Sequence, residues 1–260
     1  MRLSVAKAVK PVRRLRKLFK EVPPNLPPEY VHNVRTQARK LEASAHAVSS
    51  EHDRRVRRLL KRIKPIRKTA GDVRDMDVMI AKLLAVANQI QGDGDALLRL
   101  TEEMAALREK SATELRRLLK RDGKPLRDKL KQYAARVRKA GNGEMAESVA
   151  APEILAAQLQ QWPPLKPDNL HEFRIHAKEL RYMLQLTPET DEHTLQSFAR
   201  VKDVAGEWHD WLQLREFAAK ELDQKQEHEL LTRLRAIEHQ KLRAALAAAN
   251  AARHDGLAAV

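Results

Sequence analysis

The sequence contains no cysteine, few glycines and few aromatic residues. The absence of cysteine excludes disulfides, thiolate metal sites and cysteine nucleophiles, and it is compatible with a reducing compartment, so we expect a cytoplasmic protein. Aromatic residues make up 4% of the 260 residues, and only eight are glycine. No apolar run approaches the roughly 20 residues that a membrane span needs. The remaining composition, rich in Leu, Ala, Arg, Lys and Glu, favours long helices around a hydrophobic core and predicts an all-α fold.

Positive charge is concentrated at one end of the chain. The net charge is +15. Residues 1–70 contain 20 Lys or Arg against 5 Asp or Glu, whereas the other 190 residues contain 30 of each. The N-terminal quarter therefore carries the whole excess. Such a local excess creates a strong positive field and favours a polyanionic partner.

Proline-rich segments and short breaks divide the chain. VPPNLPPEY and WPPLKPDNL each precede a helical pattern and predict the start of a helix. QGDGD at 91–95 separates two helical segments, and GNGEMAESVAAPEI indicates a connection between two halves. We therefore predict one domain with four parts: a basic N-terminal helix and Pro-rich linker (1–27), a first helical half (28–140), a connector (141–166) and a second helical half (167–260).

The two halves are similar in sequence. At an offset of 139, His32, Arg35, Ala38, Arg39 and Leu41 correspond to His171, Arg174, Ala177, Lys178 and Leu180. At an offset of 135, Ile66, Arg67, Ala70, Gly71, Asp72, Arg74 and Asp75 correspond to Val201, Lys202, Ala205, Gly206, Glu207, His209 and Asp210. Two blocks in the same order indicate an internal duplication, and two copies predict a pseudo-twofold pair of helical bundles.

Each half has a column of basic residues with a histidine at its head. On a helix of about 100° per residue, an apolar stripe lies beside each column. The first column contains His32, Arg35 and Arg39, and the second contains His171, Arg174, Lys178 and Arg181. Arg can place two N–H groups on phosphate oxygens, and Lys supplies a mobile charge. A single column is typical of a solvated surface, but its recurrence favours binding of an anion.

A longer basic stripe follows in EHDRRVRRLLKRIKPIRK. One helix face carries Arg54, Arg57, Arg58, Lys61, Lys64 and Lys68, and no acidic residue occurs between Asp53 and Asp72. Surface helices usually mix charges of both signs, so this stripe also favours a polyanion. The basic residues between 116 and 131 alternate with acidic ones and are typical of a solvated face.

TAGDVRD and VAGEWHD place a glycine four residues before an aspartate in each half. The glycines mark either a turn between helices or a close crossing. Asp75 and Asp210 either orient a neighbouring Arg or His, or bind a metal. We favour orientation, because the nearby basic helices would repel a divalent cation, and we expect neither a metal nor another cofactor.

These residues resemble the CHAD domains, the conserved histidine α-helical domains. The resemblance rests on His32, Arg35 and Arg39 with KPIRKTAGDVRDMDV, and on LHEFRIHAKELRYML with VKDVAGEWHDW. It covers about residues 28–215. The resemblance implies two pseudo-symmetric four-helix bundles around a basic central cavity, with inorganic polyphosphate as the ligand.

The resemblance also assigns residue roles. Polyphosphate binding would fall to the two columns and, on the stripe, to Arg54, Arg58, Lys61 and Lys68, with Arg74, Asp75, His209 and Asp210 as the supporting residues. We add Arg57 and Lys64 as binding residues because they share the helix face of the stripe. The ExExK signature of the triphosphate tunnel domains often fused to this family is missing, so we expect a stand-alone, non-catalytic member. Binding would serve either targeting to polyphosphate granules or regulation of the polymer.

Three other functions stay open at this stage. The high pI suits a nucleic-acid binding protein, although aromatic residues for base stacking are absent from the centre of the columns. His-Asp pairs at 52, 209 and 254 would suit an HD-type metal-dependent phosphohydrolase. A helical scaffold could place its basic face on an acidic protein or lipid surface.

Overall fold

The described part of the chain is helical apart from one pair of short strands. The computed structural model describes residues 2–48, 53–87, 94–141, 145–147, 151–187, 190, 192–223 and 228–253. Within these ranges the helices are α1 (Val5–Leu18), α2 (Pro28–Val48), α3 (Arg54–Ala87), α4 (Gly94–Ala140), α5 (Ala151–Gln160), α6 (Pro167–Leu184), α7 (Glu192–Glu221) and α8 (His228–Ala251). The strands are β1 (Arg2–Ser4) and β2 (Met145–Glu147), which pair antiparallel. The predicted all-α class is confirmed, while the duplication and the basic central cavity stay predictions. No described helix is long and apolar enough to cross a membrane.

Proline punctuation marks the starts of two helices, as the sequence predicted. Helix α2 begins at Pro28 and α6 begins at Pro167. Proline suits the first helical turn because its ring presets φ and its missing N–H would have no partner there. At α6 the Asn169 side chain also accepts a 2.8 Å hydrogen bond from the amide of Lys166. The QGDGD break falls between α3 and α4, partly outside the described residues.

Packing follows the chain within each half and then crosses between the halves. Helix α1 of the N-terminal part packs on α2 and α4, and within the first half α2 packs on α3 and α3 on α4. Helix α5 of the connector packs on α6, and within the second half α6 packs on α7 and α7 on α8. Across the halves, α2 contacts α6 and α3 contacts α7. The helices that carry the repeated motifs therefore lie side by side.

The apolar stripes of α2 and α6 are buried, as predicted. The buried residues are Val34, Ala38, Leu41 and Ala45 in α2, and Phe173, Ala177, Leu180 and Leu184 in α6. Val48, the last residue of the predicted α2 stripe, is half-buried. Burial of these stripes determines how each helix is rotated about its axis. The basic columns are consequently held at the helix edges where α2 meets α6.

A second hydrophobic cluster lies toward the far ends of the long helices. Met79 and Leu83 of α3 and Met104 of α4 belong to the same buried cluster as Trp211 and Leu214 of α7. Both halves of the chain therefore contribute to a common core at this end of the molecule.

One buried polar contact joins α7 to α8. The indole Nε1 of Trp208 donates a 2.8 Å hydrogen bond to Oε1 of Glu238. Both side chains are almost fully buried, with residue exposures of 2% and 5%. Since Trp208 directly precedes His209, this bond helps to hold the histidine's segment of α7 in place.

We predict that removal of this acceptor destabilises the protein. Glu238→Ala leaves the buried Trp208 N–H unpaired and should lower the free energy of unfolding by about 1–3 kcal/mol. Glu238→Gln keeps an acceptor oxygen at the same position and should cost less. Urea denaturation of both variants measures the difference, and equal losses would show that the hydrogen bond is not responsible.

Candidate functional site

Two arginines lie against two helical glycines. Arg35 of α2 contacts α3 at Gly71, where an added methyl group would lie 3.4 Å from its Nε. Arg174 of α6 contacts α7 at Gly206 in the same way, with a corresponding distance of 3.5 Å to a terminal guanidinium nitrogen. Both glycines lie inside helices, so the interpretation as a turn between helices is wrong. The neighbour at each glycine is an arginine side chain, at a distance that would be ordinary van der Waals contact for an added methyl group.

An aspartate lies one helical turn beyond each glycine. Asp75 Oδ1 is 3.6 Å from a terminal nitrogen of Arg35. Asp75 and Asp210 also lie close enough to Arg174 for their charges to affect its pKa. Burial raises the pKa of Asp75, and the neighbouring Arg35 and His209 partly oppose that shift. The two carboxylates thus partly neutralise the arginines from the α3 and α7 side.

The histidines differ in their surroundings. His171 stacks on His209, with ring centroids 4.4 Å apart. Burial, followed by the charges of His209, Arg174 and Arg39, lowers the pKa of His171 to about 4. His171 is therefore neutral at pH 7 and offers a ring nitrogen for hydrogen bonding, rather than the positive charge that the basic column predicted.

His32, the equivalent residue of the first half, is exposed to solvent. Burial of part of its ring lowers its pKa, and the charges of Arg74, Arg35, Lys178 and Lys202 lower it further. Its Nε2 is 3.4 Å from the Thr36 hydroxyl. The structure thus places His32 beside cations from both halves.

The two basic columns meet between α2 and α6. Lys178 of α6 is surrounded by Arg174 of its own helix, Arg35 and Arg39 of α2, and Lys202 of α7. Burial and these four charges lower the pKa of Lys178 to about 7. Burial also lowers the pKa of Arg39 and of Arg174. We call Arg35, Arg39, Arg174 and Lys178 the central cluster.

Several buried donors near this cluster have no protein acceptor. The Nε atoms of Arg39, Arg174 and Arg181 are buried without a hydrogen-bond partner among the described residues. The Nδ1 atoms of His171 and His209 are likewise buried without a hydrogen-bond partner among these residues, and each can donate or accept depending on its tautomer. Buried donors are normally paired, because an unpaired one costs about 1–3 kcal/mol. The arrangement therefore suits a ligand that is rich in acceptor oxygens and negatively charged.

The basic stripe lies on the surface of α3 rather than in the central cluster. All six residues, Arg54, Arg57, Arg58, Lys61, Lys64 and Lys68, are exposed. Lys64 and Arg57 precede Gly71 by seven and fourteen residues. Measured about the axis of a regular helix, they point within about 40° of the direction of Gly71, and Arg57 lies about 20 Å along the axis from Gly71. Lys61 and Lys68 point about 60–80° away from that direction. Arg54 and Arg58 are turned farther from it, by about 100° and 140°.

The structure adds cations that the predicted columns omitted. Lys202 of α7 lies beside Lys178 and His32. Arg67 of α3 lies close to Arg39, and its Nε donates a 2.7 Å hydrogen bond to Glu42. The duplication could have indicated both, since Lys202 corresponds to Arg67, but neither belongs to a column with period 3.6. On α4, by contrast, the predicted solvated face carries local ion pairs such as Arg117 with Glu114 and Arg121 with Asp122.

Metal-binding geometry is absent from the described ranges. No group of three or more His, Asp or Glu side chains there is placed to hold a metal ion. Of the three His-Asp pairs, His209 and Asp210 are described, with Nδ1 and Oδ1 3.9 Å apart. His52 and the pair at 254–255 lie outside the described residues.

Two solved structures share this fold. The first is PptA from Streptomyces chartreusis, with a TM-score of 0.63 and 14% identity over 96% of this chain and 99% of that chain. The second is the CHAD domain from the plant Ricinus communis, with a TM-score of 0.57 and 19% identity over 96% of this chain and 89% of that chain. No curated protein matches the sequence.

Residues 12–219 match the family described as the CHAD domain. This range includes α2, α3, α6 and α7, which supply the central cluster, both glycines and both aspartates. The match covers well over half of the 260 residues. The chain therefore belongs to the CHAD domain family.

Proposed function

We propose that the protein binds inorganic polyphosphate and does not hydrolyse it. The observation that carries this proposal is the central cluster, in which four cations from two halves of the chain are held together by helix packing. The family resemblance supplies the ligand, because it implies polyphosphate for these same positions. Binding of this kind would place the protein in the cytoplasm, at polyphosphate granules or where the polymer is regulated.

Electrostatics supports an anionic ligand at the central cluster. Burial lowers the pKa of Arg39, Arg174 and Lys178, which means that the folded protein disfavours their charged forms. A phosphate group placed among them would favour the charged forms and accept hydrogen bonds from the unpartnered Nε atoms. Charge-assisted hydrogen bonds of guanidinium to phosphate are roughly twice as strong as neutral ones. The supporting aspartates orient the arginines without neutralising the whole cluster.

The basic stripe supports a polymer over a single phosphate. Arg57 and Lys64 lie on the same side of α3 as Gly71 and extend the basic surface by about 20 Å. A compact phosphate compound held at the central cluster could not reach them. A chain of phosphates could contact the cluster and the stripe together.

Nucleic acid is a weaker candidate for the same surface. Binders of single strands usually stack bases on exposed aromatic rings. Tyr182, which lines a small cavity with Arg39 and Lys178, and Trp208, which precedes His209, are 7% and 2% exposed. Their faces are consequently closed to bases, whereas phosphates need only the cations.

Hydrolysis would require groups that are not assembled at this site. Metal-dependent phosphohydrolases collect several carboxylate and histidine ligands around an activated water. At the central cluster Asp75 and Asp210 instead face arginines, and His171 and His209 stack on each other. The side chains therefore suit binding of phosphates rather than attack on them.

We expect long-chain polyphosphate to be the preferred polyanion. In a competition experiment at fixed salt, it should displace RNA, duplex DNA and free phosphate from the protein. Fixed salt matters because counterion release dominates all such affinities. Preferential retention of RNA or DNA would contradict the proposed function.

We also predict that both halves contribute to binding. Arg35→Glu with Arg39→Glu, and separately Arg174→Glu with Lys178→Glu, should each weaken polyphosphate binding by at least about a hundredfold, since each reverses two charge-assisted contacts. The matched control is Lys120→Glu with Lys124→Glu, which reverses two exposed cations on α4 at the same spacing. Circular dichroism should show unchanged helix content. An unaltered affinity in either site variant would restrict the ligand to one half.

Binding should weaken as the pH rises from 6 to 9. Lys178, with a pKa of about 7, is charged at the lower end of this range and loses its proton toward the upper end. A bound polyanion favours the protonated form of Lys178, so binding is coupled to the uptake of one proton. Affinity therefore falls by at most about tenfold for each unit by which the pH rises. Lys178→Arg should remove this component because arginine stays charged. A pH dependence that is the same in Lys178→Arg would exclude Lys178 as its source.

A further inference from the structure

A basic cavity separate from the central cluster lies between α1, α2, α6 and the start of α7. Its volume is about 350 Å³. The cations that line it are Lys7, Lys10 and Arg14 of α1 and Lys40 of α2. The other lining residues are Pro11, Gln37, Tyr182, Gln185, Leu186 and Leu195, and none is acidic. We call this the α1 pocket.

Helix α1 is built to present its cations to this pocket. Lys7, Lys10 and Arg14 are spaced by three and four residues, so they share one face of the helix. The opposite face is anchored in the core by Val5, Val9 and Val12 among others. Like charges at this spacing destabilise a helix by a few tenths of a kcal/mol per pair. Helix α1 contains no Asp or Glu that could offset this repulsion.

Among the described residues, no carboxylate is paired with the pocket cations. Lys7, Lys10, Arg14 and Lys40 form no ion pair within this part of the chain. Lys7 Nζ donates a 3.2 Å hydrogen bond to the carbonyl oxygen of Thr187. The described lining therefore combines a concave shape with four cations and no acidic residue, which suits phosphate groups.

Lys40 links the α1 pocket to the central cluster. Burial lowers its pKa, and so do the charges of Arg14 and Lys10 on the pocket side and of Arg181 and Lys202 on the other. Lys202 in turn lies close enough to Lys178 to lower the pKa of that cluster residue. Positive side chains thus continue from the central cluster to α1.

Tyr182 forms part of the wall between the two sites. Its ring centroid is 5.6 Å from Lys40 Nζ. Tyr182 also lines a small cavity of about 70 Å³ together with Arg39 and Lys178 of the central cluster. The pocket and the cluster are therefore neighbours that share one buried side chain.

We propose that the α1 pocket binds a further stretch of the polyphosphate chain whose other phosphates occupy the central cluster. The inference rests on the proposed function and adds a determinant of chain length, because only a long chain can contact both sites. Of the four pocket cations, Lys7 and Lys10 precede the matched residues 12–219, whereas Arg14 and Lys40 lie within them.

The test compares short and long chains. Binding of tripolyphosphate and of long-chain polyphosphate is measured for the wild type and for the variant Lys7→Gln, Lys10→Gln, Arg14→Gln. The control variant, Arg13→Gln, Lys17→Gln, Lys20→Gln, removes the same charges from exposed positions on or just after α1 that do not line the pocket. Lys40→Gln provides a second pocket variant that leaves α1 intact, and circular dichroism verifies folding.

The pocket variant should lose long-chain affinity on the order of tenfold or more beyond the control while retaining its tripolyphosphate affinity. The slope of log affinity against log salt for the long chain should shrink by about 2, since three contacts each contribute about 0.7. Lys40→Gln should reduce long-chain affinity in the same direction. Equal losses in pocket and control variants, or equal losses for short and long chains, would overturn the inference. A wild type that binds neither chain would instead refute the proposed function itself.

Discussion

The central constraint on this structure is the enforced proximity of like charges between α2 and α6. Arg35, Arg39, Arg174 and Lys178 lie together because the apolar faces of their helices are buried and leave the basic edges facing each other. Their mutual repulsion and partial desolvation oppose folding, as the lowered pKa of Lys178 indicates. Hydrophobic burial elsewhere must offset this cost, and an anionic ligand would relieve it.

Other features of the site limit that cost. The guanidinium groups of Arg35 and Arg174 lie against neighbouring helices at Gly71 and Gly206, and Asp75 pairs with Arg35. His171 responds to the same field by remaining neutral, which spares the site one more charge while keeping a ring nitrogen for hydrogen bonding. The cations of the central cluster therefore lie beside a neutral histidine and a carboxylate, which keep the local charge from rising further.

The scaffold around the site is rigidified at some distance from it. The second hydrophobic cluster joins α3 and α4 to α7 and α8, and the Trp208–Glu238 hydrogen bond connects α7 to α8 beside His209. Helices held at several points can maintain repelling side chains in register. Such preorganisation favours a ligand that presents many similar groups, because few protein side chains then have to lose conformational freedom when the ligand binds.

Periodicity and repetition in the sequence were enough to predict the all-α fold, the starts of α2 and α6, and the two basic columns, because helix geometry places residues three and four apart on one face. Periodicity and repetition could not predict which distant segments contact each other. The repeated motifs left a turn and a close approach equally open at Gly71 and Gly206, and only the tertiary structure placed both glycines inside helices, beside Arg35 and Arg174. The role of Lys202, the neutral state of His171 and the pocket on α1 likewise depend on which helices become neighbours. That choice depends on the burial of apolar faces from all parts of the chain, whereas the local pattern specifies only which face each helix must bury.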